Sequence, residues 1–360
     1  MKVLFACGGT GGHIYPAIAM AEELLRRDKK APVLFTGGIK GMEKEIIIKR
    51  GFDFEGVNAR PFIRKFTFRN VINFFWVIRS FFEAAAIIKD FNPDIVIGTG
   101  GFASYPAVFM ASLAGRKTLI HEPNVVPGAA NKMLSYFVTR ITAGFEETVK
   151  YFPAGKTTVT GNPIRESLLK NRKKEGLKRF GLGTGKKTVL IMPGSRAAQS
   201  INRVFMDVLP RAAKEIKGAQ FIWMTGNDDY EAAVKKTAEN RKVKCSVARF
   251  IDDAGLAYSA ADAGVLRAGA GTLTELEAIG LPSLLVPYPY ATGNHQEKNA
   301  EAFKYSGAAI VIKDSDLNAD VFIGSVNKLL ESKTNDAMKK KLKKMYRGHS
   351  AEKIIEIALG

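Results

Sequence analysis

Cysteine is nearly absent. The 360 residues hold two, Cys7 and Cys245, far apart in the chain. A framework of paired cysteines is excluded, and a reducing compartment is expected. Cys7 closes the first apolar stretch and reads as a buried structural thiol rather than a nucleophile. Histidine is scarce too. None of His13, His121, His295 and His349 stands at metal-ligand spacing from another, which argues against a zinc site. No run of about 18 apolar residues occurs, so no membrane-spanning helix is expected. A strand follows directly on Met1-Lys2, which predicts no signal peptide. Acid is short as well: 54 Lys and Arg stand against 35 Asp and Glu, a net charge of +19. That excess implies an anionic partner: nucleic acid, a phosphorylated substrate or an acidic membrane surface. With 46% hydrophobic residues, the composition is that of a globular protein, and the length suits two domains.

What is present centres on Gly8-Gly9-Thr10-Gly11-Gly12-His13. The apolar run from Lys2 to Ala6 before it predicts a buried strand, and Ile14 to Leu25 after it has helical spacing, with Pro16 in a first turn. Bare backbone N–H groups and the positive end of a helix dipole suit a phosphate or diphosphate. His13 at the lip can move a proton. Two known phosphate patterns are excluded. Ile14 stands where the third glycine of the dinucleotide fingerprint belongs, and no Gly-Lys-Ser/Thr follows as in a P-loop. A close-packed glycine turn without a ligand is the competing reading.

The first half continues as alternating strands and helices. Between Phe62 and Phe82, phenylalanines and Trp76 interleave with basic residues and no acid. From Val71 to Lys89 the periodicity is helical. The pattern suits the interface of an anionic bilayer, or a loop folded onto its own core. Strand Ile95 to Ile97 runs into a second glycine turn, Gly98-Thr99-Gly100-Gly101. A further strand, from Lys117 to Ile120, brings His121-Glu122-Pro123-Asn124 to the same edge, where α/β ligands bind. Glu122 either orients an imidazole or is structural. The turn at Thr160 to Arg165 marks a domain boundary.

The second half restarts the pattern. Strand Lys187 to Met192 ends in Pro193-Gly194-Ser195-Arg196, and strand Ser246 to Ile251 precedes a helix from Asp252. Arg267 to Pro282 then holds glycines that open a turn, with Thr272 or Thr274 able to cap the next helix. Its N-terminus suits a diphosphate. Glu275, one turn in, either accepts two ribose hydroxyls or complements the dipole. Tyr288 to Ala300 is dense in amides, as hydroxyl-rich sugars require. Asp314-Ser315-Asp316 matches a metal-binding pair only as a bare pattern and reads as turn and cap chemistry.

The ordered set GGTGGH, GTGGFASYP, HEPN, TGNPIR, RAGAGTLTELEAIGLPSLLVP and NHQEKNA resembles the MurG family of family 28 glycosyltransferases over essentially the whole chain. The resemblance implies an α/β chain of GT-B fold: two Rossmann-like domains with parallel sheets facing across a cleft. It implies an acceptor and membrane-contact domain at 1–162, with the helix at 344–360 packing back on it, and a UDP-sugar domain at 163–343. The implied reaction is inverting transfer of N-acetylglucosamine from UDP-N-acetylglucosamine to undecaprenyl-diphospho-N-acetylmuramoyl-pentapeptide, without metal or other cofactor. Implied donor contacts are Thr10, Gly11, Gly12, Asn124, Arg165, Ser195, Ile251 through its backbone, Ala270, Gly271, Thr272, Leu273 and Thr274 on the phosphates, Glu275 on the ribose, and Gln296 and Asn299 on the sugar. Gly9, Gly11, Gly12, His13, Gly100 and Gly101 fall to the acceptor diphosphate, with His13 as the base. The implied setting is the cytoplasmic face of the cell membrane, reached through Phe62 to Phe82, with no nucleic acid and with a cell-wall synthesis complex as possible company. One motif departs: the family's Gly-Gly-Ser-x-Gly-Ala turn is Pro193-Gly194-Ser195-Arg196-Ala197-Ala198 here. That turn is closer to lipid A disaccharide synthase, which lacks GGTGGH. Two more readings compete: UDP-N-acetylglucosamine 2-epimerase, of the same fold, and a non-catalytic membrane-bound scaffold.

Overall fold

A computed structural model describes residues 1–60, 68–194 and 199–360, with the backbone alone for 68–74 and 292. The chain divides into two compact units, Met1–Ile164 with Arg347–Gly360, and Arg165–Tyr346. The first unit contains β1 (Val3–Ala6), α1 (Gly11–Arg27), β2 (Val33–Gly38), α2 (Glu43–Lys49), β3 (Asp53–Val57), α3 (Phe68–Phe91), β4 (Ile95–Gly98), α4 (Tyr105–Leu113), β5 (Lys117–Glu122), α5 (Ala129–Leu134), β6 (Arg140–Ala143) and β7 (Thr157–Val159). The second contains α6 (Lys173–Arg179), β8 (Lys187–Met192), α7 (Gln199–Glu215), β9 (Ala219–Met224), α8 (Tyr230–Glu239), β10 (Cys245–Ala248), α9 (Ala254–Ala260), β11 (Ala263–Leu266), α10 (Ala270–Ile279), β12 (Ser283–Leu285), α11 (His295–Ser306), β13 (Ala309–Val311), α12 (Ala319–Leu330) and α13 (Ser332–Met345). The last helix, α14 (Ser350–Leu359), returns to the first unit.

Among the described residues the first sheet has the order β3-β2-β1-β4-β5-β6-β7 and the second β10-β9-β8-β11-β12-β13. The strand pairs are parallel, with Ala6 opposite both Thr36 and Gly98, and Leu266 opposite both Met192 and Leu285. Each order reverses once in the middle, between β1 and β4 in one sheet and between β8 and β11 in the other. Open parallel sheets bind ligands outside the carboxyl ends of the strands at such a reversal. Topology therefore puts residues after Ala6 and Gly98 at one binding position, and residues after Met192 and Leu266 at another.

Burial explains why these strands read as apolar runs. Every residue of β1, Val-Leu-Phe-Ala, is buried, as a parallel strand covered on both faces requires. Ile354, Ile355 and Ala358 of α14 join Ile14, Ile18 and Leu24 of α1 in the core on one face. The opposite face is covered by Ala84, Ile87 and Ile88 of α3 with Ala107, Val108 and Ala111 of α4. Two short edge strands, β3 and β13, fall where no apolar alternation marks them: Asp-Phe-Glu-Gly-Val is polar on one side, and Ala-Ile-Val is three residues long.

His121 belongs to this interior. It is fully buried on β5, with Nδ1 3.1 Å from Thr142 Oγ1 on β6 and Nε2 2.9 Å from Asn162 Oδ1. The Asn162 amide donates onward to Pro123 O at 3.0 Å. The ring pins the 160–162 turn to the sheet and faces no open space. Burial takes its imidazole down from the ordinary 6.5 to about 4. A folded-state value below the unfolded one means that the stability is whole above pH 6.5 and is lost as pH falls toward 4. That loss should approach about 3 kcal/mol, at 1.36 kcal/mol per pH unit. Thermal melts are expected to show the unfolding midpoint dropping across this window. His121→Asn, which cannot take the proton, should start lower and fall less.

Candidate active site

The first binding position is built by two interlocked glycine turns. β1 ends at Ala6, Gly9 takes a left-handed φ of +85°, and α1 begins at Gly11 after an N-cap Thr10 with no side-chain cap. The helix therefore starts three residues earlier than its apolar spacing suggests. The N–H groups of Gly11 and Gly12 belong to its open first turn, where no intrahelical partner exists. Pro16 lies inside α1 rather than in its first turn. It is tolerated because the carbonyl it leaves without a donor, that of Gly12, sits on an exposed residue.

The second turn explains its own glycines. Gly100 and Gly101 have φ of +98° and +85°. A Cβ on Gly101 would lie 2.1 Å from Gly8 O, and one on Gly100 2.9 Å from the His13 ring. Thr99 and His13 bond each other twice: Thr99 Oγ1 donates to His13 O at 2.7 Å, and His13 Nδ1 donates to Thr99 O at 2.8 Å. A carbonyl only accepts, so Nδ1 carries the hydrogen. Burial holds this half-buried imidazole below its ordinary 6.5 and outweighs the opposing pull of the Thr99 carbonyl. The neutral ring then presents a lone pair at Nε2, the arrangement of a general base.

Beside it, Glu122 is buried and orients an amide, not an imidazole. Its Oε1 accepts Asn124 N and Nδ2, both at 3.0 Å, and its Oε2 accepts Gly128 N at 3.1 Å and Asn131 Nδ2 at 2.9 Å. Burial still leaves this carboxyl above its ordinary value despite four donors. Asn124 is thus held rigidly at the carboxyl end of β5.

In the second unit α10 begins directly after β11 and the N-cap is Gly269, without a side-chain cap. Thr272 and Thr274 do not cap. They lie inside the helix, because it starts at Ala270, and Thr274 Oγ1 donates back to Ala270 O at 3.1 Å. The first N–H groups of α10 are consequently left for another acceptor. Glu275 sits half-buried in the second turn and accepts Tyr258 Oη at 2.8 Å. Burial raises its carboxyl, while Tyr258 and the charge of Arg165 pull it down. Gln296 Oε1 accepts Tyr288 N at 2.9 Å, so it braces the loop that leaves β12. Asn299 is fully buried on α11 and donates to Ala268 O at 3.3 Å, behind the β11 turn. Ile251 is half-buried in the loop after β10, which ends at Ala248. Ser195 and Arg196 lie outside the described residues, as does the stretch 61–67.

Three partners carry roles that residue order does not show, although Thr99 and Arg267 lie inside quoted motifs. Thr99 is an ordinary turn residue until its carbonyl meets His13. Tyr258, on the apolar face of α9, carries the pattern of a core aromatic. Arg267 ends an apolar strand, and its guanidinium is buried, donating to Val286 O at 3.0 Å, Pro287 O at 3.1 Å and Ser200 Oγ at 3.0 Å, and pairing with Asp314. Asp314 therefore serves an ion pair, and Asn318 is the residue that caps α12. A charge closing an apolar strand is the one signal by which Arg267 could be found. Among the described residues no His, Cys, Asp and Glu group could hold a metal ion.

Two family models match: the glycosyltransferase family 28 N-terminal domain over residues 3–143 and its C-terminal domain over 188–355. The chain is 42% identical over 353 residues to a UDP-N-acetylglucosamine–N-acetylmuramyl-(pentapeptide) pyrophosphoryl-undecaprenol N-acetylglucosamine transferase of Halothermothrix orenii, covering 96% of this chain and 93% of that one. It is 39% identical to the enzyme of that name from Caldanaerobacter subterraneus, over 99% of each. The crystal structure of MurG from Acinetobacter baumannii superposes with a TM-score of 0.78 at 27% identity, over 99% of each chain. A UDP-N-acetylglucosamine 2-epimerase from Neisseria meningitidis, at 15% identity and a TM-score of 0.69, shares the fold alone. The two parallel-sheet α/β units are those of the GT-B fold, and the chain belongs to glycosyltransferase family 28.

Proposed function

We propose that the protein transfers N-acetylglucosamine from UDP-N-acetylglucosamine to the 4-hydroxyl of undecaprenyl-diphospho-N-acetylmuramoyl-pentapeptide, with inversion at C1. The observation that carries this reading is identity near 40% across nearly the full chain with enzymes named for that reaction. The local chemistry agrees with it. In the first unit Gly9, Gly11, Gly12, Gly100 and Gly101 offer backbone N–H groups suited to the acceptor diphosphate. In the second, the open N-terminus of α10 from Ala270 to Thr274 suits the UDP diphosphate, with Glu275 on the ribose and Arg165 nearby.

The step is a single displacement. The acceptor oxygen forms a bond to C1 as the bond from C1 to the UDP oxygen breaks. The hydroxyl proton passes to His13 Nε2. Departing UDP keeps the electron pair, and its charge is met by the α10 dipole and the Arg165 guanidinium. Thr10 and Asn124 complete the donor contacts. Ser195 is assigned there by its motif, and Gln296 and Asn299 hold the sugar-side loops.

An anionic membrane surface is the proposed location, on the cytoplasmic side. Phe75 and Phe82 on α3 are 67% and 72% exposed, and Tyr136 beyond α5 is 70% exposed. Phe81, Phe109 and Phe137 stack edge to face, with centroids 5.7 and 5.1 Å apart, linking α3, α4 and the α5 end. Arg60 and Arg79 flank Trp76 at 4.6 and 5.4 Å. Apolar rings rimmed by guanidinium groups fit a bilayer interface. Among the described residues no helix is long and apolar enough to cross a membrane.

Label from UDP-N-acetylglucosamine is expected in the lipid acceptor, with no 2-epimer formed when acceptor is omitted. Epimer without transfer would replace the reading with an isomerase. His13→Ala should lower kcat by about 10²- to 10⁴-fold. Wild-type kcat should fall on the acid side as Nε2 is protonated, and His13→Ala should lose that limb. A pure rise in acceptor KM would remove His13 from the proton transfer. A Phe75→Glu, Phe82→Glu double variant should lose binding to phosphatidylglycerol vesicles while transferring to a short-chain soluble acceptor at the wild-type rate. Unchanged vesicle binding would refute the membrane face.

A further inference from the structure

Tyr258 is fully buried, yet it is tied to the one carboxylate of the second unit assigned to a ribose. Its Oη donates to Glu275 Oε2 at 2.8 Å. Burial and the neighbouring carboxylate push its own ionisation well above the ordinary 10, so it remains a donor throughout the physiological range. The helix that carries it is anchored independently of the ligand. Asp253 Oδ1 caps α9 by accepting Leu256 N at 3.3 Å, and Arg172 Nη2 holds Asp253 Oδ2 at 2.7 Å. A Cβ on Gly176 would lie 2.4 Å from Leu256 O, so α6 packs directly on α9. The phenol is thus a fixed point.

From this geometry we infer that Tyr258 is a positioning residue for ribose recognition. It engages one oxygen of Glu275 and keeps Oε1 aimed outward to accept the 2′- and 3′-hydroxyls of the uridine nucleotide. A glutamate has three rotatable bonds, and freezing them before binding removes an entropy cost that the ligand would otherwise meet. The inference rests on the assignment of Glu275 to the ribose and adds how that carboxylate is aimed. Tyr258 itself touches neither nucleotide nor sugar.

The test is calorimetric binding of UDP and of 2′,3′-dideoxy-UDP, which lacks both hydroxyls. Wild type should prefer UDP. Tyr258→Phe keeps the ring that fills the core and removes only the donor. It should weaken UDP about tenfold, the scale of one hydrogen bond to a charged group, and leave the dideoxy nucleotide unchanged, so the preference narrows. With the donor gone, the Glu275 carboxyl rises, and UDP affinity should fail at a higher pH on acidification than in wild type. Glu275→Gln, which keeps the shape, should lose most of the preference as well. If Tyr258→Phe keeps the full preference while Glu275→Gln loses it, Glu275 reads the ribose without Tyr258 and the inference is overturned alone. Equal weakening of both nucleotides by Tyr258→Phe makes the tyrosine a packing residue and overturns it too. If neither variant changes the preference, the ribose assignment of Glu275 falls, and the inference with it.

Discussion

Two hydrogen bonds running in opposite directions between Thr99 and His13 hold the first binding position together. One fixes the backbone of the first turn of α1 against the end of β4, and the other fixes the tautomer of the imidazole. Neither could form if the glycines carried side chains. A Cβ on Gly100 meets the His13 ring and one on Gly101 meets Gly8 O. The glycines therefore let two strand-to-helix turns approach within hydrogen-bonding distance, and they also bare the N–H groups proposed to meet the acceptor diphosphate. The same closeness buries the ring enough to keep it neutral, which a proton acceptor at neutral pH requires.

In the second unit the proposed diphosphate position has a different support. Its α10 N-terminus has no capping side chain, and the loops around it are tied from behind. Arg267 reaches the carbonyls after β12, the start of α7 and Asp314 at once. Truncating it would leave the buried carbonyls of Val286 and Pro287 without that donor and take the charge partner from Asp314, which would keep the Ser200 hydroxyl, and this is costly. Asn299 and Gln296 brace the same loops through Ala268 O and Tyr288 N. Rigid backbone donors need no reorganisation when charge develops on a leaving diphosphate, the general advantage of preorganised sites.

Much of this is legible from residue order. Apolar runs ending in glycine turns locate β1, β4, β8 and β11, and those four strands flank the two reversals of strand order. The reversals themselves are not legible, because they depend on the pairing order of strands, including the edges β3 and β13. Nor does spacing separate His13 from His121. His13 closes a glycine turn and His121 an apolar strand, both at strand ends where ligands are expected, and only the fold shows that His121 has its Nε2 engaged by Asn162 while His13 has Nδ1 anchored and Nε2 left over. The threonines of the α10 turn look like caps because helix starts are read from the first polar-to-apolar change, and this helix starts earlier on Ala270. Glu122 looks like an imidazole partner because charge invites charge; four local amide donors satisfy it instead. Tyr258 carries no signal at all, since a tyrosine on a buried helix face has the pattern of a core residue.

The proposed chemistry stands on a neutral His13 with its hydrogen on Nδ1 and its lone pair on Nε2. Nitrogen-15 NMR of the histidine-labelled full chain at pH 7 reads this state, because the two ring nitrogens report protonation separately. His13 should show a pyrrole-type Nδ1 and a pyridine-type Nε2, both reverting toward a mixture in Gly100→Ala, where the ring is displaced from Thr99. A pyrrole-type Nε2, or an imidazolium with both nitrogens protonated, would rule out His13 as the proton acceptor.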